Sequence, residues 1–246
     1  MRFINFLFFI FLLTLSNCKK PEDIPLELNS LTKNKNHYDN FLIQRSNGFH
    51  RLNGVFVNDS SFGVIVVHGS YPSEWQTKGY EWVEPLTTLS EKNIPIWFFK
   101  YDWTKCIDQS TNYLHEQLEP FLDEHIYLDS LWIIGHSMGG ILTALLAEQW
   151  DLKTPITIHS IAASLGEYEK EFPNCDNFQR DQYIIKDNVN FTQWKTVKEQ
   201  DGIFKKMDYD PQIVSIIRGK SNLLPSQWNG IRIGHNFSIN WVCKNI

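Results

Sequence analysis

Residues 131–150 read Leu-Trp-Ile-Ile-Gly-His-Ser-Met-Gly-Gly-Ile-Leu-Thr-Ala-Leu-Leu-Ala-Glu-Gln-Trp. An apolar run ends at a serine, Ser137, with glycines two positions to either side, and a helix-forming run follows at once. That context gives Gly135-His136-Ser137-Met138-Gly139 a chemical meaning. Glycines at those places remove side chains that would collide as the backbone reverses sharply between strand and helix. The serine is left at the carboxyl end of the strand, beside free helix N–H groups. A serine hydroxyl is a poor nucleophile until a base removes its proton, and the base needs an acid to hold its tautomer. The alternative is a tight turn with a polar tip.

The bases to choose from are eight histidines. His136 lies within the turn, with its side chain expected to point away from the serine. His68 ends an early apolar run, His159 sits in a buried-strand pattern, and His37, His50, His115 and His125 read as surface residues. His235, in Ile-Arg-Ile-Gly-His-Asn, follows the last short apolar run and every acid candidate. Among the acids that follow the fourth and fifth strand patterns, the candidates are Glu167, Asp201, Asp208 and Asp210. Asp210-Pro211 looks like a helix start.

The elements that must hold these groups alternate. Residues 62–69 (Phe-Gly-Val-Ile-Val-Val-His-Gly), 94–103, 131–137, 155–164 and 191–197 read as strands, the first an unbroken apolar run suited to burial on both faces. Between and after them, residues 80–92, 108–125, 138–150 and 209–219 read as helices, with Pro85 near the start of the first and Pro120 a kink or break in the second. The alternation implies a mostly parallel sheet in a three-layer α/β domain. Asn47-Gly48 and Asn53-Gly54 mark one or two antiparallel edge strands within 41–57. Residues 165–190 are polar and too long for a simple connection, so they are expected to form a small cap insertion over the active-site end.

Gly-His-Ser-Met-Gly-Gly at 135–140, the upstream Val-Ile-Val-Val-His-Gly-Ser and the late Gly-His-Asn together resemble the α/β-hydrolase superfamily of serine esterases and lipases, over roughly Gly63 to Asn240. The resemblance implies an α/β-hydrolase fold and the chain order serine, acid, histidine. It assigns Ser137 as nucleophile, Asp201 as acid and His235 as base, with Glu167 the variant acid position. It places the oxyanion donors at the backbone N–H of Met138 and of Ser70, or of Tyr71 next to it. The implied reaction is carboxylic ester cleavage through an acyl-enzyme, with no cofactor. Acyl transfer or thioester hydrolysis would use the same triad, and a non-catalytic binding lipoprotein on this scaffold is the reading from another class. Serine rather than aspartate at the turn argues against carboxylate-nucleophile branches such as dehalogenases and epoxide hydrolases.

Residues 70–82, Ser-Tyr-Pro-Ser-Glu-Trp-Gln-Thr-Lys-Gly-Tyr-Glu-Trp, put two tyrosines and two tryptophans beside that loop, as pocket wall or as packing. No His-x-x-x-His, Cys-x-x-Cys or clustered carboxylates suggest a metal.

The amino terminus bears on location. Arg2 precedes an apolar run from Phe3 to Leu15, about 13 residues and ~20 Å as a helix, short of a ~30 Å hydrocarbon core. That is a signal-peptide core in length. Leu15-Ser16-Asn17-Cys18 resembles a bacterial lipoprotein signal, although Asn17 stands where Gly or Ala is usual. The resemblance implies a signal peptide at 1–17, lipid on Cys18, a tether over 18–40, an exported membrane-anchored protein and a hydrolase domain over 41–246. An ordinary secretory signal is the alternative.

The 246 residues, 42% apolar, suffice for one α/β domain with a proper core. The net charge of −5 has no basic block suited to nucleic acid, so the expected partners are a small-molecule or lipid ester and the membrane. Beyond Cys18, only Cys106, Cys175 and Cys243 remain. At most one pair forms, and the sequence does not say which.

Overall fold

The computed structural model describes residues 25–33, 42–71, 81–168, 175 and 178–246. The signal segment, Cys18 and residues 34–40 lie outside these, as do residues 72–80 and part of the insertion, 169–174 and 176–177.

An eight-stranded sheet forms the middle layer. Its strands are β1 (Leu26–Glu27), β2 (Gly48–Asn53), β3 (Phe62–Val67), β4 (Ile96–Lys100), β5 (Ser130–His136), β6 (Ile156–Ile161), β10 (Val189–Lys195) and β12 (Lys220–Leu223). The spatial order is β1-β2-β4-β3-β5-β6-β10-β12. From β4 to β12 every neighbouring pair is parallel, while β2 runs antiparallel to β4.

The β3 residues show why the sheet is a middle layer. Val64 and Val66 enter one apolar cluster with Trp82, Leu86, Leu89, Ile239 and Val242. Ile65 and Val67 enter the other, with Leu114, Leu118, Phe121, Ile141 and Leu142. Successive side chains point to opposite faces, and here both faces are covered, which explains the unbroken apolar run. Helices α2 (Val83–Ser90) and α5 (Phe237–Asn245) pack together on the first face. Helices α3 (Ile107–Glu124) and α4 (Met138–Gln149) pack together on the second.

The central elements fall close to their expected places. Pro85 sits in the first turn of α2, where a missing N–H costs nothing. Helix α3 runs through Pro120 without a break. Pro120 faces solvent, and so does Glu116, whose carbonyl loses its helical partner there.

Three peripheral expectations are corrected. Residues 209–219 do not form a helix. They form a turn at Pro211-Gln212 and the short strand β11 (Ser215–Ile217), parallel to β9 (Gln182–Ile184). Asp210 Oδ1 accepts the Gln212 N–H at 3.0 Å, which stabilises a turn, and the following Ile213-Val214-Ser215-Ile216-Ile217 is β-branched at four of five places. The strand within 41–57, β2, is antiparallel to β4 but not an edge: the sheet ends at β1 and at β12, whose four residues are all exposed, with Leu223 alone apolar. Residues 26–33, assigned to a tether, form β1 and the helix α1 (Leu28–Lys33), with Leu26 and Leu31 buried in the core.

The described part of the insertion holds the antiparallel pair β7 (Glu167–Tyr168) and β8 (Phe178–Gln179), followed by β9. A disulfide joins Cys175 to Cys106 at the start of α3, and Cys243 is a buried free thiol.

Candidate active site

The turn at Ser137 is built as its glycines require. A Cβ on Gly135 would lie 2.3 Å from the Gly139 carbonyl oxygen, and one on Gly139 would lie 2.4 Å from the His68 oxygen and 2.5 Å from the Val67 oxygen. Any side chain there would push β5, α4 and the end of β3 apart. Ser137 itself has φ +52° and ψ −121°, a conformation that costs a non-glycine residue ~1–3 kcal/mol and persists only where the surroundings enforce it. The enforcement is visible in its backbone. The Ser137 N–H donates to the Ile161 oxygen at the end of β6 (2.9 Å), and the Ser137 oxygen accepts the N–H groups of Gly140 (2.9 Å) and Ile141 (3.2 Å), which start α4.

The His68-Gly69-Ser70 turn lies against this elbow. A Cβ on Gly69 would come within 3.0 Å of the Ser137 Cβ and 3.2 Å of the His136 oxygen, so the residue Ser70 follows directly on a contact with the serine. His68 is fully buried and structural. Its Nδ1–H donates to the Gly69 oxygen (2.6 Å), and its Nε2 accepts the Tyr101 N–H (3.3 Å). Burial, with Lys100 nearby, pushes its pKa down to about 3, which keeps it neutral.

Asp201 and His235 meet although 34 residues separate them, with His235 Nδ1 3.0 Å from Asp201 Oδ2. Asp201 follows a 3₁₀ turn (Lys198–Gln200) beyond β10, and His235 follows the hairpin of β13 (Gln227–Trp228) and β14 (Ile231–Arg232). Asp201 has 0% exposure and accepts four hydrogen bonds. Oδ2 takes the Thr196 hydroxyl (2.6 Å) and His235, and Oδ1 takes the N–H groups of Ile203 (2.8 Å) and Phe204 (3.1 Å). Burial acts to raise the Asp201 pKa, but the bonds from His235, Thr196 and Ile203 outweigh it and hold the carboxyl below its usual value. Burial likewise lowers the His235 pKa, and Asp201 only partly restores it. An ionised Asp201 fixes the hydrogen on His235 Nδ1 and leaves Nε2 as the basic nitrogen.

A cleft of about 260 Å³ opens at the serine, walled by Met138, Ile141, Ile203, Phe204 and Met207, with Ser164 and Glu167 as its polar lining. The Phe204 ring, which lines this cleft with Ser137, stands edge-on to His235 at 5.2 Å. Among the described residues, no hydrogen bond joins the Ser137 hydroxyl to His235. Such bonds are often long until a substrate closes the site. Glu167 lines the cleft, and among the described residues no hydrogen bond joins it to His235. Asp210 is engaged with Gln212, and Asp208 is exposed.

Sequence reasoning missed Glu81. Its carboxylate makes a short hydrogen bond to Nδ1 of His136, both side chains being buried. The far nitrogen of His136, Nε2, lies 3.0 Å from the backbone oxygen of His235. A buried histidine next to Ser137 implied some buried partner, but nothing in the spacing named one 55 residues away. Thr196, five residues before Asp201, was missed because nothing in its position distinguishes it from the other polar residues at the end of β10. No group of three or more His, Cys, Asp or Glu among the described residues is arranged to hold a metal.

Strand order, strand direction and the strained serine between β5 and α4 together settle the architecture. This is the α/β-hydrolase fold. No protein-family profile matches the sequence. No curated protein matches it either. Solved structures that it resembles include Est1E from Butyrivibrio proteoclasticus (10% identity, 80% of this chain and 91% of that chain, TM-score 0.48). An alpha-beta serine hydrolase homologue from Coxiella burnetii is similar at 16% identity, over 80% and 88% of the two chains, with TM-score 0.47. XC6422 from Xanthomonas campestris, an α/β serine hydrolase without a lid, is similar at 15% identity over 79% and 84%, with TM-score 0.45. These likenesses concern the path of the chain and not its chemistry.

Proposed function

We propose that this protein is a serine hydrolase that cleaves a carboxylic ester through an acyl-enzyme. The observation that carries the reading is the buried Asp201–His235 pair, 3.0 Å apart, packed behind Phe204, a residue that lines the cleft of a serine held at φ +52°. His235 Nε2 takes the Ser137 proton as Oγ attacks the ester carbonyl, forming the C–O bond of a tetrahedral intermediate. Asp201 keeps the imidazole in the required tautomer and stabilises imidazolium as it forms. The N–H groups of Met138, at the first position of α4, and of Ser70 bind the oxyanion, each lowering the barrier by roughly 3 kcal/mol. Imidazolium then protonates the departing alcohol. A water, deprotonated by His235, releases the acid and restores Ser137. Every proton stays on Ser137, His235, water or the alcohol, so no cofactor enters.

The cleft also bears on the substrate. At about 260 Å³ it lies below the ~300–1,000 Å³ usual for drug-sized ligands, and its walls are mostly apolar. These features support a short acyl group. The sequence before the described residues supports a place for the enzyme, on the cell envelope, tethered by lipid on Cys18.

Intact-mass labelling with a fluorophosphonate, followed by a chain-length series of esters and thioesters, tests the reading. One adduct on Ser137 and hydrolysis of short esters are expected. A folded protein that takes no label contradicts it.

A further inference from the structure

The buried Glu81–His136 pair has no part in the reaction written above, yet it touches three components of the site. His136 is the residue before Ser137 on the elbow. Glu81 Oε1 lies 3.5 Å from where a Gly69 Cβ would stand, beside the Ser70 turn. His136 Nε2 meets the His235 oxygen, and the two rings are 4.8 Å apart.

The partners fix the protons. A carbonyl oxygen only accepts, so His136 Nε2 must carry a hydrogen and donate it to His235. Nδ1 then faces a carboxylate oxygen of Glu81, and two lone pairs cannot approach so closely. Both ring nitrogens of His136 are thus engaged, Nδ1 by the Glu81 carboxyl and Nε2 by the His235 oxygen, and the ring is fixed between them.

We propose that Glu81 and His136 are positioning residues that fix where the His235 imidazole stands relative to Ser137. The inference rests on His235 being the base. Asp201 holds only the Nδ1 edge of the ring, whereas the backbone that carries the ring is held from behind. Its carbonyl accepts both His136 Nε2–H and the Ser238 hydroxyl. The neighbouring helices are tied as well, since Asn240 of α5 donates to Glu84 of α2 at 2.7 Å, three residues beyond Glu81. A displacement of ~1 Å in such a group costs ~100-fold in rate, which is the scale of the effect expected.

The test compares His136→Gln with His136→Asn in the full chain, with Glu81→Gln alongside. The Gln amide nitrogen reaches the place of Nε2 and still donates to the His235 oxygen. The Asn amide reaches only the place of Nδ1, keeping Glu81 and losing His235. Fluorophosphonate labelling rates, kcat and KM on a short ester and the melting temperature are measured for each. His136→Gln and Glu81→Gln are expected to keep labelling and kcat within about 3-fold of the parent. His136→Asn is expected to lose ~10- to 100-fold in both, with KM little changed and folding intact. Equal rates for folded His136→Gln and His136→Asn would overturn the inference while leaving the parent's activity in place. An unlabelled parent would overturn the hydrolase reading and this inference with it.

Discussion

The Thr196 hydroxyl and the Asp201 carboxylate lie 2.6 Å apart, on the same oxygen that accepts His235. With Oδ1 filled by two backbone N–H groups, Asp201 has no oxygen left to turn elsewhere. Replacing it by asparagine has a defined consequence. The amide oxygen takes the Oδ1 place, and the amide nitrogen then donates to His235 Nδ1. The hydrogen of the imidazole moves to Nε2, which can no longer accept a proton from Ser137. Asp201→Asn is expected to lower kcat on a short ester by ~10⁴-fold without unfolding the protein. A loss below 10-fold in a folded variant would contradict the role proposed for Asp201.

The pH dependence of activity follows from His235. Its burial favours the neutral form, while Asp201 pulls the other way, and His136 and Glu81 face it from the elbow and from the turn before α2 with opposing effects. The net direction is down. Activity needs neutral His235, so kcat/KM should rise with pH through a midpoint below the usual 6.5 and then level off. A profile with its acid limb centred well above 6.5 would contradict this.

Stability should also fall in acid, before the carboxylates titrate. His68 and His159 are buried, with pKa values pushed by burial down to about 3 and about 4. Between those values and 6.5 the unfolded chain binds protons that the native state refuses. Their contribution is therefore whole above 6.5 and declines as pH falls, by up to ~1.4 kcal/mol per pH unit for each group. Urea unfolding measured from pH 7 to pH 5 checks the slope, and a flat line would be the contrary result.

The Cys106–Cys175 disulfide closes a loop with a sequence separation of 69, tying the insertion to α3. A loop of that length restrains the unfolded chain by about 4 kcal/mol in the chain-entropy picture. Reduction should lower the urea midpoint accordingly and expose two thiols to alkylation under native conditions. Cys243 should resist, since burial pushes its thiol up to about 12. Alkylation of Cys243 in the folded protein would contradict its placement.

What the sequence made legible was what burial and backbone strain write into it. Val64 to Val67 had to be apolar on both faces, and Gly135 and Gly139 had to be glycine for β3, β5 and α4 to meet. The turn at Ser137 could be read from that frame, whereas Asp201 and His235, which meet at 3.0 Å, were named by the family likeness. The edges were hidden because they bury little. Lys220–Leu223 is exposed throughout, and Ile213–Ile217 is a short apolar run whose period suits helix and strand equally. Leu26 and Leu31 were lost in a polar, proline-bearing stretch. Glu81 and Thr196 act through contacts to single side chains and turns, which leave no pattern along a chain.

The central claim is that Ser137 is activated, and the direct measurement is the rate of fluorophosphonate attachment to the parent protein and to Ser137→Ala and His235→Ala, read by intact mass. One adduct per chain on Ser137, absent in Ser137→Ala and slowed by ~10³-fold or more in His235→Ala, is the result expected of an activated serine. A folded parent that stays unlabelled, or labels equally fast without His235, would contradict it.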